Sequence, residues 1–119
     1  MSGIIGGLGT KSDIIGHDTG WVSLTNGLIN SWVANGTAYI PYYRKVGNMV
    51  YIRGSIRDGN AQGMITLPTH IRPYAPHYFE NVDGWSHTHH LYIDDPYTTL
   101  NSQNHTGVWV SIHCNYMLL

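Results

Sequence analysis

From Trp21 to the end of the chain, apolar positions come in short runs that alternate with polar ones and are cut by turn residues. Such a period of two marks half-buried strands rather than helices. The clearest case is a hairpin, in which Thr37 to Val46 (TAYIPYYRKV) returns as Met49 to Ile56 (MVYIRGSI) across Gly47-Asn48. A two-residue loop with glycine first suits a type II′ turn, whose twist matches the strands it joins. In the returning strand Val50, Ile52 and Ile56 share one face, and Tyr51, Arg53 and Ser55 the other. Pro41 predicts an edge or a bulge for the first strand, and Gly54 a bulge or a close backbone approach in the second.

The remaining elements are shorter. Trp21 to Leu24 runs into the turn dipeptide Asn26-Gly27, and Leu28 to Val33 is compatible with a short strand or a single helical turn. Met64 to Leu67 is a strand stopped by Pro68, and the prolines at 73 and 76 bracket an extended passage. Alternation resumes over His77 to Val82, Ser86 to Ile93 and Thr98 to Gln103. It returns from Val108 to Leu119, where Val108, Val110, Ile112, Cys114 and Tyr116 share one side. Seven or eight such strands without an amphipathic helix predict an all-β, antiparallel β-sandwich or jelly-roll-like domain over residues 21–119.

Residues 1–20 read differently. Gly3, Gly6, Gly7, Gly9 and Gly16 surround two isoleucine pairs, Ile4-Ile5 and Ile14-Ile15. Glycine raises the entropic cost of ordering such a segment, whereas four isoleucines are poor residues to leave in water. The alternatives are a solvated tail and an extended attachment arm whose isoleucines are buried only against another chain. The second accounts for the isoleucines. The opening MSGIIGGLGTKSD has neither the basic start nor the unbroken apolar stretch of a signal peptide, so no export is expected from it.

Composition narrows the function classes. Charged residues are 11% of the 119, against about 25% in an ordinary domain, and the formal net charge is −1. The six basic residues are scattered apart from Arg44-Lys45, so no phosphate-tracking surface and no nucleic-acid partner are expected. No apolar run approaches the roughly 18 residues of a membrane span, so no membrane insertion is expected. Cys114 is alone and reads as a small buried residue rather than a disulfide or zinc ligand. Glu80 is the only glutamate, and no GxSxG, HExxH or phosphate-cradling glycine loop occurs. Asp94-Asp95 stand before Pro96 and read as a turn. The chain is therefore not expected to be an enzyme, nor to carry a cofactor.

The stretch from Asn26 to Pro73 has a further property. Asn26-Gly27, Trp32, Pro41, Tyr43-Arg44-Lys45, Gly47, Val50, Arg53-Gly54, Gly63, Leu67-Pro68 and Arg72-Pro73, in this order and spacing, resemble the C-terminal β domain of bacteriophage tail-fibre and baseplate proteins. Val108-Trp109-Val110-Ser111-Ile112 resembles the last strand of that domain, so the resemblance spans about residues 21–112. It departs most between Tyr74 and Asn104, and no family ligand site transfers there. What it implies is a homotrimeric receptor-binding or tail-tip module, placed in the virion tail rather than on the capsid and held to other virion proteins by residues 1–20. The alternative is a capsid decoration or cement protein fastened by the same arm, without a receptor role.

Two groups of residues are candidates for a site. The divergent segment collects Tyr74, Tyr78, Trp85, Tyr92 and Tyr97 with Asn81, Asp83, Asp94 and Asn101. Aromatic faces beside carboxylates and amides are how proteins hold sugars, and Trp85, Tyr92, Tyr97, Asp94 and Asn101 are the set expected to meet a host-surface glycan. Packing in a core or interface is the alternative use of these rings. The second group is Ser86-His87-Thr88-His89-His90. Strand parity puts His87 and His89 on the face of Leu91 and Ile93, with His90, Tyr92 and Asp94 opposite. One chain thus offers two imidazoles, too few to close a metal site. Only three chains around a threefold axis, as some phage fibre tips resemble, would supply six. Ordinary hydrogen bonding of these histidines is the expectation, with no metal.

Overall fold

The computed structural model describes residues 17–82, 88–103 and 109–118. Residues 1–16, with all four arm isoleucines, lie outside the described residues, as do Asp83, Trp85 and His87.

Eleven strands form three antiparallel sheets, and no α-helix occurs among the described residues. The first sheet takes β1 (Val22–Ser23), β3 (Tyr42–Val46), β4 (Met49–Arg53) and β11 (Cys114–Met117), in the order β1-β3-β4-β11. The second is β10 (Val110–Ser111), β5 (Ser55–Arg57) and β2 (Val33–Ala34), with β5 central. The third is β6 (Gly63–Thr66), β9 (Thr99–Ser102), β8 (Thr88–Ile93) and β7 (His77–Val82), in the order β6-β9-β8-β7. All three contribute to one core: Tyr43, Val50, Ile52 and Tyr116 from the first, Ile56 and Val110 from the second, and Met64, Ile65, Leu91, Ile93 and Leu100 from the third.

The expected hairpin is present, with Tyr42 opposite Arg53 and Val46 opposite Met49. Of the two loop residues only Gly47 has positive φ, at +58°, as a type II′ turn requires and a type I′ turn does not. The first strand differs from expectation. Thr37–Tyr39 form a 3-10 turn, and pairing starts at Tyr42, after Pro41. Nor is this strand an edge, because β1 and β4 flank it on both sides. Pro41 precedes the ladder, so its missing N–H removes no bond from it. Leu28 to Val33 is neither a full strand nor a helical turn: Leu28 makes an isolated bridge to Ile65, and Asn30 and Ser31 turn through positive φ before β2.

Gly54 separates β4 from β5 at φ +135°, and a Cβ there would stand 2.7 Å from Pro41 Cα. Only glycine accepts both the conformation and the approach. Opposite it, Ile112 donates its N–H to Gly54 O at 3.1 Å, and the last segment likewise divides into β10 and β11. Two neighbouring stretches therefore pass together from one sheet to the next. The alternation survives the break, with Val110, Ile112 and Tyr116 buried and His113 and Asn115 exposed.

Buried polar ends are satisfied. Tyr116 donates its hydroxyl to Ile71 O at 2.7 Å, and Trp32 Nε1 donates to Ala61 O at 2.9 Å. Asn81 on β7 donates its amide to Ser111 O at 2.8 Å and His113 O at 3.0 Å, tying the third sheet to the junction of β10 and β11. Burial pushes the Cys114 thiol up to about 12, so it stays protonated near neutrality. At the other side His17 to Gly20 run along β3: Gly47 donates to His17 O at 2.8 Å and Thr19 to Lys45 O at 3.0 Å. The Arg44 guanidinium grips the Asp18 carboxylate through Nε at 2.9 Å and through Nη2. That hydrogen bonding, with the N–H of Gly20, lowers the Asp18 carboxyl from 3.8 to about 2.

Trp32 supplies a test of the packing. Its ring is buried against Gly59, where an added Cβ would fall 1.8 Å from Cε2. Gly59→Ala is expected to cost at least about 2 kcal/mol in urea unfolding, the scale of a forced core rearrangement. A change below about 0.5 kcal/mol would mean that the ring is not seated as described.

Candidate functional site

Parity on β8 decides which side chains reach solvent. Leu91 and Ile93 are fully buried, and His89 takes the same side at 2% exposure. Its Nε2 is hydrogen-bonded with the hydroxyl of Ser102 on β9, which is buried as well. His89 thus lies in the core of its own chain, while the other member of the pair, His87, is outside the described residues. Among the described residues no three His, Cys, Asp or Glu side chains gather to hold a metal ion.

The opposite face of β7 and β8 is open. Register sets Tyr78 across from Tyr92 and Glu80 across from His90. The two tyrosine rings stack with centroids 6.4 Å apart and planes 25° from parallel. Tyr78 is 71% exposed, and Glu80 and His90 approach to 3.6 Å on the surface. Tyr78, His90, Tyr92, Asp94 and Gln103 line an open depression of about 320 Å³, and Tyr78, Phe79, Glu80 and His90 line a smaller one of about 160 Å³. Tyr92 is fixed from the other direction, because its hydroxyl donates to Gln62 Oε1. Desolvation, then the Asp94 carboxylate and Tyr78, raise its phenol above the ordinary 10.0. Tyr92 therefore remains a neutral hydrogen-bond donor throughout the physiological range.

The structure divides the residues singled out from the sequence. Tyr92 and Asp94 stand together in the depression with Tyr78. Tyr97 does not join them; it is half-buried and packs against the core, with its N–H bonded to Asp94 O at 2.6 Å. Asn101 is adjacent to Tyr92 across the β8–β9 ladder, but its amide nitrogen is committed to the carbonyls of Tyr92 at 3.3 Å and Thr99 at 3.0 Å. Tyr74 is exposed outside the depression, and the amide of Asn81 is used in the fold. His90, Gln103 and Gln62 were missed as site residues. His90 was signalled by sharing the parity of Tyr92 and Asp94, whereas Gln103 and Gln62 arrive through pairings that no local pattern announces.

A depression with stacked phenols, one carboxylate, an imidazole and an amide can stack against an apolar ring face and hydrogen-bond its hydroxyls. A comparison with solved structures finds a similar fold. The crystal structure of the receptor binding protein (gp15) of Listeria phage PSA superimposes with a TM-score of 0.67, over 93% of this chain and 71% of that one. The chain is similar in fold to a phage receptor-binding protein. Sequence identity is 20%, so the likeness is one of fold. No family model and no curated protein matches the chain. The all-β, antiparallel architecture of this chain is the one that its short alternating runs and the order of its Gly, Pro and Trp positions led us to expect.

Asp94 and Tyr92 make the electrostatics of the depression testable. Replacing Asp94 by Asn removes the second cause of the raised phenol and leaves the first, desolvation. In Asp94→Asn the Tyr92 titration, followed by NMR of labelled tyrosine, is expected to move part of the way back toward 10.0. No movement would show that the carboxylate does not face the ring.

Proposed function

We propose that the chain is a receptor-binding module of a phage tail that contacts the host surface by holding a saccharide on the open face of β7 and β8. The observation that carries this reading is the stacked Tyr78–Tyr92 pair, with Tyr78 exposed and Tyr92 half-buried, flanked by Asp94, His90 and Gln103 on a scaffold similar to that of a phage receptor-binding protein. The phenols supply apolar ring faces, Asp94 accepts from vicinal hydroxyls, and the Gln103 amide both donates and accepts. An open, shallow depression suits the end or a single residue of a surface chain rather than a fully enclosed ligand.

In this reading the domain works as a homotrimer in the virion tail, and Ile4, Ile5, Ile14 and Ile15 are buried against another virion protein. Support for self-association comes from the outer face of the first sheet. There Val46, Met49 and Met117 lie opposite one another in register, beside Tyr51, and Met117 and Tyr51 are exposed. An apolar row of this kind is suited to cover by a second copy.

Tyr78→Ala and Tyr92→Ala are each expected to weaken binding of purified domain to host cells by about tenfold, the loss of one aromatic contact, with the melting temperature held within a few degrees. Undiminished binding in both variants would remove this face from the receptor site. Deletion of residues 1–16 is expected to leave a folded domain that fails to enter particles; normal incorporation would make the segment dispensable for assembly.

A further inference from the structure

A second cleft opens where β4 gives way to β5. The kink at Gly54 turns the strand from the first sheet into the second, and Thr37–Tyr39 form a 3-10 turn ahead of Pro41 beside it. Tyr39, Tyr42, Arg53 and His113 line a depression of about 330 Å³ there. It adjoins another of about 180 Å³ lined by Tyr39, Asn35, Ser55 and Trp109. Tyr39 is common to both and is 55% exposed, and Trp109 is 38% exposed. Neither depression shares a residue with the Tyr78–Tyr92 face.

Arg53 gives this cleft its character. Its guanidinium carbon lies 4.2 Å from the centroid of the Trp21 ring and 5.6 Å from that of Tyr42. Aromatic rings hold a guanidinium by its face and leave the N–H donors on its edge free. The other arginines are otherwise engaged: Arg44 with Asp18, Arg57 within 3.8 Å of Asp58, and Arg72 donating to Leu67 O at 2.9 Å. No carboxylate among the described residues pairs with Arg53. The Asn35 amide adds a polar group at the other end, beside Ser55.

We propose that this cleft binds an acidic saccharide unit, its ring against Tyr39 and Trp109 and its anionic group on Arg53. One fixed cation between two aromatic platforms matches a single negative charge carried on a sugar. It does not match a polyanion, which needs a series of cations. The anion can be a uronic carboxylate or a sugar phosphate; both present oxygens to the same guanidinium fork.

The test is a titration of the ¹⁵N-labelled full-length protein with D-glucuronate, D-glucose 6-phosphate and D-glucose, read at the indole N–H of Trp109 and Trp21 and the Arg53 Nε–H. Either acid, or both, should bind at least about tenfold more tightly than glucose, the scale of one charge-assisted hydrogen bond. Whichever acid wins identifies the anion. Arg53→Gln should bring the acids down to the level of glucose, and Tyr39→Ala should weaken all three. Where Arg53→Gln disturbs the fold, the wild-type salt dependence decides: added NaCl should weaken the acids and leave glucose unchanged. Equal binding of all three sugars, absence of shifts at these resonances, or acid binding indifferent to both salt and Arg53 overturns the proposal. Tyr92→Ala is expected to leave these titrations unaltered, so that this cleft and the β7–β8 face succeed or fail separately.

Discussion

Leu91 and Ile93 leave no surface to solvent, and with His89 they commit one side of β8 to the core. A strand has only two faces, so the same burial delivers His90, Tyr92 and Asp94 to the other side. Pairing then does the rest. Antiparallel register with β7 sets Tyr78 over Tyr92, and β9 brings Asn101 and Ser102 to their places on opposite faces. A slip of one residue would bury Tyr92 and Asp94 and expose two aliphatic side chains. The hydrophobic core therefore positions the candidate site without touching its ligand.

The second structural device is the joint kink at Gly54 and Ile112. A single flat sheet would place the successors of Val50 and Ile52 on the same surface, whereas the break carries Ile56 and Val110 into a second sheet and still into the common core. Sheets that diverge at such a kink leave room between their outer side chains, and the Tyr39–Arg53 cleft occupies that room. Asn81 ties β7 to the same junction, linking the sheet that carries the tyrosine pair to the segment that turns. One glycine whose Cβ has no space thus marks the turn beside which the Tyr39–Arg53 cleft opens.

Much of this was legible in the residues. The Gly47-Asn48 hairpin, the alternation of the last segment, the special role of Gly54 and the separation of His89 from His90 by parity all follow from local rules of backbone and period. What was not legible depends on partners distant in sequence. Pro41 suggested an edge strand because proline lacks a donor, yet it stands just before the ladder, and residues 17–23 cover the far side of β3. Tyr97 and Asn101 have the composition of a sugar site, but one ring packs on the core and one amide is taken by backbone carbonyls. Arg53 looked like any surface arginine; only the fold brings Trp21 and Tyr42 to it and keeps every described carboxylate away.

In the proposed function, the open face of β7 and β8 is where the protein meets its host. NMR mapping with glycan released from the host surface tests it most directly, because it reports location as well as affinity. The largest shifts are expected on Tyr78, His90, Tyr92, Asp94 and Gln103. Binding that shifts other residues and leaves these five unmoved would contradict it.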